Sequence, residues 1–114
     1  MSDRRRGAGR IPLRTKVWCE DEGVTLYVPA LDVSDDGICV STGRTFEVGA
    51  RLSVGVRGPE GEAVATARVA WSRPTRATPA TGLQIEGFVR GRDVFDRLVE
   101  RARREAQGEP DPTE

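Results

Sequence analysis

Two short stretches of this chain hold side chains whose types and spacing suit chemistry. The first is Arg4-Arg5-Arg6-Gly7-Ala8-Gly9-Arg10, four guanidiniums and two glycines ahead of the first apolar run. Arginine presents a planar fork of donors that matches phosphate oxygens and the O6/N7 edge of guanine. Glycine between arginines lets the backbone bend closely around whatever they hold. With Asp3 as the only nearby acid, the stretch has a local excess of three positive charges, in a chain whose 18 basic and 18 acidic side chains cancel. Charge that is placed rather than spread points to an anionic partner. The same cluster also reads as a solvated terminal tail. The second stretch is Asp32-Val33-Ser34-Asp35-Asp36-Gly37. Asp32 and Ser34 share one face of a strand, because side chains alternate. The aspartate can accept hydrogen bonds from a guanine N1–H and amino group, and the serine hydroxyl can donate to a phosphate or accept from a base. Gly37 permits a positive φ or a close ligand approach. Taken alone, these six residues read first as an ordinary Asx-type turn.

Other chemistries are poorly supplied. The chain has no histidine, so the commonest general base and the commonest metal ligand are both missing. Serine–histidine and cysteine–histidine catalysis are excluded, and neither a Walker-type phosphate loop nor a dinucleotide fingerprint occurs. An enzyme is not expected. Cys19 and Cys39 are the only cysteines, too few for a structural zinc site, so no metal and no cofactor are expected. Each sits in a strand-like apolar run and reads as a small buried hydrophobe. No long apolar run and no secretory h-region appear, which makes a cytoplasmic protein the expectation.

The elements that must position these residues follow from periodicity. A chain of 114 residues supports one small domain. Pro12 to Cys19 alternates Leu13, Val17 and Cys19 against Arg14, Lys16 and Trp18, which predicts a strand with one solvated face. Glu20 to Gly23 predicts a hairpin turn, and 24–34 a second strand in which Pro29 marks an edge or a bulge. Ile38 to Ser41 predicts a short strand, and 42–49 a loop anchored by Phe46 and Val48. Leu52, Val54 and Val56 point inward from the next strand, Gly58-Pro59-Glu60-Gly61 turns the chain, and 62–73 is a long strand. Thr81 to Ile85 is the last. Six strands joined by hairpin-type turns predict an all-β fold, a small antiparallel barrel. From Gly91 the period changes: Val94, Phe95, Leu98, Val99 and Ala102 recur at helical spacing. This predicts a C-terminal helix whose narrow stripe packs on the barrel or on a second subunit, so a homodimer through it is one expected state. The expected layout is a flexible basic arm over 1–10, a barrel with its helix over 11–106, and a disordered tail over 107–114.

In this order, Arg6-x-x-x-Arg10 and Asp32-x-Ser34-x-x-Gly37 ahead of a six-stranded barrel and a terminal helix resemble a PilZ domain, the bacterial receptor module for cyclic di-GMP. Phe46, Gly49, Arg68-Val69-Ala70-Trp71 and Gly82-Leu83-Gln84-Ile85 extend the resemblance over about residues 4 to 105. It implies a ligand with two phosphates and two guanines, held between the arginine arm and the barrel face. Carried over, Arg6, Arg10, Asp32, Ser34 and Gly37 match the binding motifs, and Arg5 extends the cationic run. Arg10-x-x-x-Arg14 offers a second frame, set aside because Arg14 falls on the outer face of a strand. Asp35 and Asp36 depart from a site meant for a dianion by adding two carboxylates. The resemblance therefore implies either a cyclic di-GMP receptor that signals through its ordered arm to a partner protein, or a protein-interaction module that binds no nucleotide. A nucleic-acid binder using the basic arm is a third reading, opposed by the neutral net charge.

Overall fold

The computed structural model describes residues 11–13, 15–42, 46–73, 76 and 79–108. Its strands are β1 (Ile11–Pro12), β2 (Lys16–Asp21), β3 (Val24–Ser34), β4 (Gly37–Val40), β5 (Arg51–Gly58), β6 (Gly61–Arg73) and β7 (Ala80–Arg90), followed by helix α1 (Arg92–Ala106). All pairings are antiparallel. Around the ring the order is β2-β3-β4-β7-β6-β5, and β5 closes back onto β2. The barrel is thus six-stranded and closed, with β1 as one extra strand laid beside the end of β3.

Local chemistry explains the connections. Glu22 and Gly23 both have positive φ, at 50° and 83°, the conformation of a two-residue hairpin turn that matches strand twist. Gly91 begins α1 at φ 79°, and a Cβ there would overlap the Glu62 carbonyl, so glycine is required on two counts. Trp18 and Trp71 each lie across the backbone of a cross-strand glycine, Gly55 and Gly82, and cover what would otherwise be bare sheet.

The core fills the barrel and one end of it. Val17, Val33, Val40 and Val69 are fully buried inside, and Phe95, Leu98, Val99 and Ala102 of α1 are buried against β6 and β1. Each of the larger of these side chains is worth about 1.5–3 kcal/mol of burial. Phe95 meets Phe88 with ring centroids 5.4 Å apart. The stripe predicted for the helix therefore packs on its own barrel. Cys19 and Cys39 are buried and not disulfide-bonded to each other, and burial pushes the Cys19 thiol up to about 11.

Several expectations are corrected. The first predicted strand is two, β1 and β2, with Leu13 and Thr15 in neither. Val48 is no anchor, being 61% exposed, whereas Phe46 is buried. The last strand runs to Arg90 rather than Ile85, and bulges in its pairing with β6 hide the simple alternation. The arm over 1–10 and tail residues 109–114 lie outside the described residues; α1 does end at Ala106.

Candidate ligand-binding face

The placement of Asp32 and Ser34 depends on a defect in β3. Val28 and Ala30 point inward, and simple alternation would send Asp32 in after them. The register of β3 against β4 instead shifts between Ala30 and Asp32, and beyond it Val33 is the inward residue, with no exposed surface. The bulge thus turns Asp32 and Ser34 out together, half-buried on one face. On its other side β3 changes partner at the same level. The Ala30 N–H donates to the Thr15 carbonyl at 2.9 Å, and the Leu13 N–H to the Leu31 carbonyl at 3.2 Å, so the break between β1 and β2 faces the bulge. β1 then runs directly beside the motif, with Ile11 opposite Val33 and Pro12 opposite Asp32.

The turn after Ser34 is tied on three sides. The Ser34 hydroxyl donates to Asp36 Oδ1 at 3.2 Å. The Asp36 carbonyl accepts from the Ile85 N–H at 2.9 Å and from Gln84 Nε2 at 3.3 Å, which locks the turn to β7. Asp35 turns away toward α1, where Arg103 Nη2 lies 3.5 Å from its carboxylate. That carboxylate is 82% exposed, so water screens it from the motif face. Gly37 pairs with Ser34 on one side and Gln84 on the other. Its φ is not positive; a Cβ would instead stand 3.0 Å from the Leu83 carbonyl and 3.4 Å from Ser34 Oγ. Close packing explains this glycine.

Asp32, Ser34 and Gly37 are therefore brought together, while Arg5, Arg6, Arg10 and Arg14 lie outside the described residues. Sequence reasoning missed a row that continues the same face. Register carries it from Gly37 through Gln84 and Arg68 to Arg51. Glu86 accepts from Arg51 Nε at 2.8 Å and Arg68 Nε at 3.2 Å, and these guanidiniums, Arg51 foremost, hold its carboxyl below the usual range. The signal available was the outward phase of Arg68 in β6. A cavity of about 200 Å³ opens between Pro12 and Arg101, Glu105 and Ala106 of α1, beside the root of the arm. Among the described residues no cluster of three His, Cys, Asp or Glu side chains could hold a metal, and no helix is long and apolar enough to cross a membrane.

The family model for the PilZ domain matches residues 4–101. Solved structures similar to the chain include the Bacillus subtilis inhibitor of motility MotI/DgrA, at 18% identity and TM-score 0.70 over 90% of this chain and 51% of that one. The PilZ domain of Escherichia coli YcgR with c-di-GMP aligns at 19% identity and TM-score 0.55, over 90% of this chain and 95% of that one. Borreliella burgdorferi PlzA in complex with c-di-GMP aligns at 6% identity and TM-score 0.52, over 96% and 51%. The chain spans about half the length of the first and third of these proteins. No curated protein matches it.

Proposed function

The chain belongs to the PilZ domain family, and from that premise we propose that it is a receptor for cyclic di-GMP that works by binding rather than by catalysis. The observation that carries this reading is the outward pair Asp32 and Ser34 set beside β1. Arg10 is one peptide bond from Ile11, and Ile11 pairs with Val33, so the arm leaves the barrel at the motif itself. Arg6 and Arg10 take the phosphates and guanine edges, with Arg5 adding charge. Asp32 accepts from a guanine N1–H and amino group, and Gly37 keeps Ser34 and the backbone of β7 close beneath. The Ser34 hydroxyl donates to Asp36 Oδ1. Ligand binding redirects that hydroxyl or uses its lone pairs.

Closing the arm over the ligand costs conformational entropy, which charge-assisted hydrogen bonds and base stacking on arginine planes offset. The ordered arm offers a new surface to a partner protein. The second reading, a PilZ module that binds no nucleotide, is favoured by one feature, the Asp36 carboxylate beside Ser34.

Isothermal titration of cyclic di-GMP into the wild type, Arg6→Ala and Asp32→Ala separates the two. The receptor reading expects saturable binding, micromolar or tighter, that both variants lose. A folded wild type that gives no heat overturns it and leaves the docking module.

A further inference from the structure

The outer face of β2, β3, β5 and β6 holds a second feature that the cyclic di-GMP reading leaves unused. A groove of about 290 Å³ is lined by Lys16, Trp18, Tyr27, Arg57 and Glu62. Trp18 and Tyr27 are cross-strand partners whose ring centroids are 6.5 Å apart and whose planes are tilted by 49°. Tyr27 is 73% exposed in the body of a strand, and Pro29 and Leu31 continue an exposed apolar ridge from it toward Asp32. The exposed face of an antiparallel sheet is normally polar. Tryptophan, tyrosine and arginine gathered inside a charged rim are the make-up of a protein-binding hot spot.

Charge and shape select the occupant. Glu62 is shared between Arg57 at 2.9 Å and Arg90 at 3.0 Å, so this triad keeps one positive charge. Lys16 is exposed and makes no ion pair with another described residue, which adds a second. Two tilted rings form a wedge that accepts a proline ring or an aliphatic side chain, whereas a flat base needs a ring face parallel to its own. The geometry points to a docking groove for an acidic segment of a partner protein. One proline or aliphatic side chain seats between Trp18 and Tyr27, and carboxylates on either side of it meet Lys16 and Arg57. The groove shares β3 with the motif face, so a partner seated here lies along the strand that leads to the arm. The inference does not depend on nucleotide binding.

Random peptides displayed on phage and selected on the immobilised full chain provide the probe. Enriched peptides are expected to carry Asp or Glu flanking proline or an aliphatic residue, and to shift the Trp18 indole N–H resonance. Their affinity should fall about tenfold or more, roughly one decade of Kd, in Lys16→Glu and in Tyr27→Ser. Both side chains face outward, so an unchanged melting temperature shows that the variants fold. Cyclic di-GMP should titrate into Tyr27→Ser as into the wild type, which keeps the two readings separable. Failure to enrich acidic peptides, or equal binding to the variants, overturns the proposal. So does a Trp18 shift produced by a guanine mononucleotide. A Trp18 shift on changing Glu109, Asp111 and Glu114 of the full chain to their amides also overturns it, by putting the chain's own tail in the groove.

Discussion

Gly37 shows how one missing methyl group holds the candidate site together. An added Cβ would press on the Leu83 carbonyl at 3.0 Å, a backbone atom in a paired strand, and on Ser34 Oγ at 3.4 Å. The serine can turn aside more readily than the strand can move. Gly37→Ala is therefore expected to cost about 1 kcal/mol or somewhat more, within the usual range for overpacking, and to displace the Ser34 hydroxyl. Urea unfolding reads the first effect, and a weakened cyclic di-GMP titration reads the second. Unchanged stability together with unchanged affinity would show that the contact is slack. From sequence, Gly37 was legible as a turn glycine that permits a positive φ or a close ligand approach; its φ is not positive, and what the structure adds is the crowding by Leu83 and Ser34. Asp35 was read as a threat to an anionic ligand. Its contact with Arg103, 68 residues away in the chain, could not be seen from neighbouring residues.

At the scale of elements, α1 is pinned to the barrel by a charged contact as well as by its apolar stripe. Arg101 donates to both carboxylate oxygens of Glu60 in the turn between β5 and β6, and Arg97 Nη2 reaches the Glu60 carbonyl at 3.4 Å. The Glu60 side chain is only 12% exposed, and the Arg101 hydrogen bond holds its carboxyl below the ordinary value of 4.5. A carboxyl depressed in the folded state stabilises the fold at pH above its unfolded value, and that contribution is lost as pH falls through the lower folded value. Glu60→Gln is expected to unfold about 1–3 kcal/mol more easily near neutral pH, the usual worth of a hydrogen bond to a charged group. The gap should begin to narrow as pH falls below about 4.5 and close only below the lower folded value, where the folded wild type too becomes neutral. Urea midpoints at several pH values check this, and a gap constant with pH would remove the ion pair from the account. The helix was legible because its apolar residues repeat at helical spacing, and β5 because Leu52, Val54 and Val56 alternate without interruption. Elements with bulges were less legible. The shift between Ala30 and Asp32 reverses which residues point in, and those in β6–β7 conceal the last five residues of β7. Pro29 marked the neighbourhood of the first bulge without giving its direction.

The molecule as a whole combines a closed barrel with no net charge, and both properties limit how it can recognise a ligand and respond. In a closed ring every barrel strand is paired on both sides, so ligand binding has little freedom to deform the body. On the proposed receptor reading, the response falls to residues 1–10, which precede β1 in the chain, and to the end of α1, which Arg103 ties to the turn of the motif. Ligand energy should therefore appear mainly as added stability and as ordering at these two places. Cyclic di-GMP at about a hundred times its Kd should stabilise the chain by about 2.7 kcal/mol. For a domain of this size that corresponds to a rise in melting temperature of roughly 10 °C. The zero net charge adds a second condition. A ligand with two phosphates should lose at most about tenfold in affinity between about 50 and 200 mM salt, whereas a nucleic-acid binder making many phosphate contacts loses about a thousandfold or more. Thermal melts with cyclic di-GMP and with single-stranded RNA, repeated across that salt range, measure both quantities in one experiment. A large, salt-tolerant rise with cyclic di-GMP alone assigns the arm to a small dianion. A rise with RNA that collapses with salt assigns it to a polyanion and overturns the receptor reading.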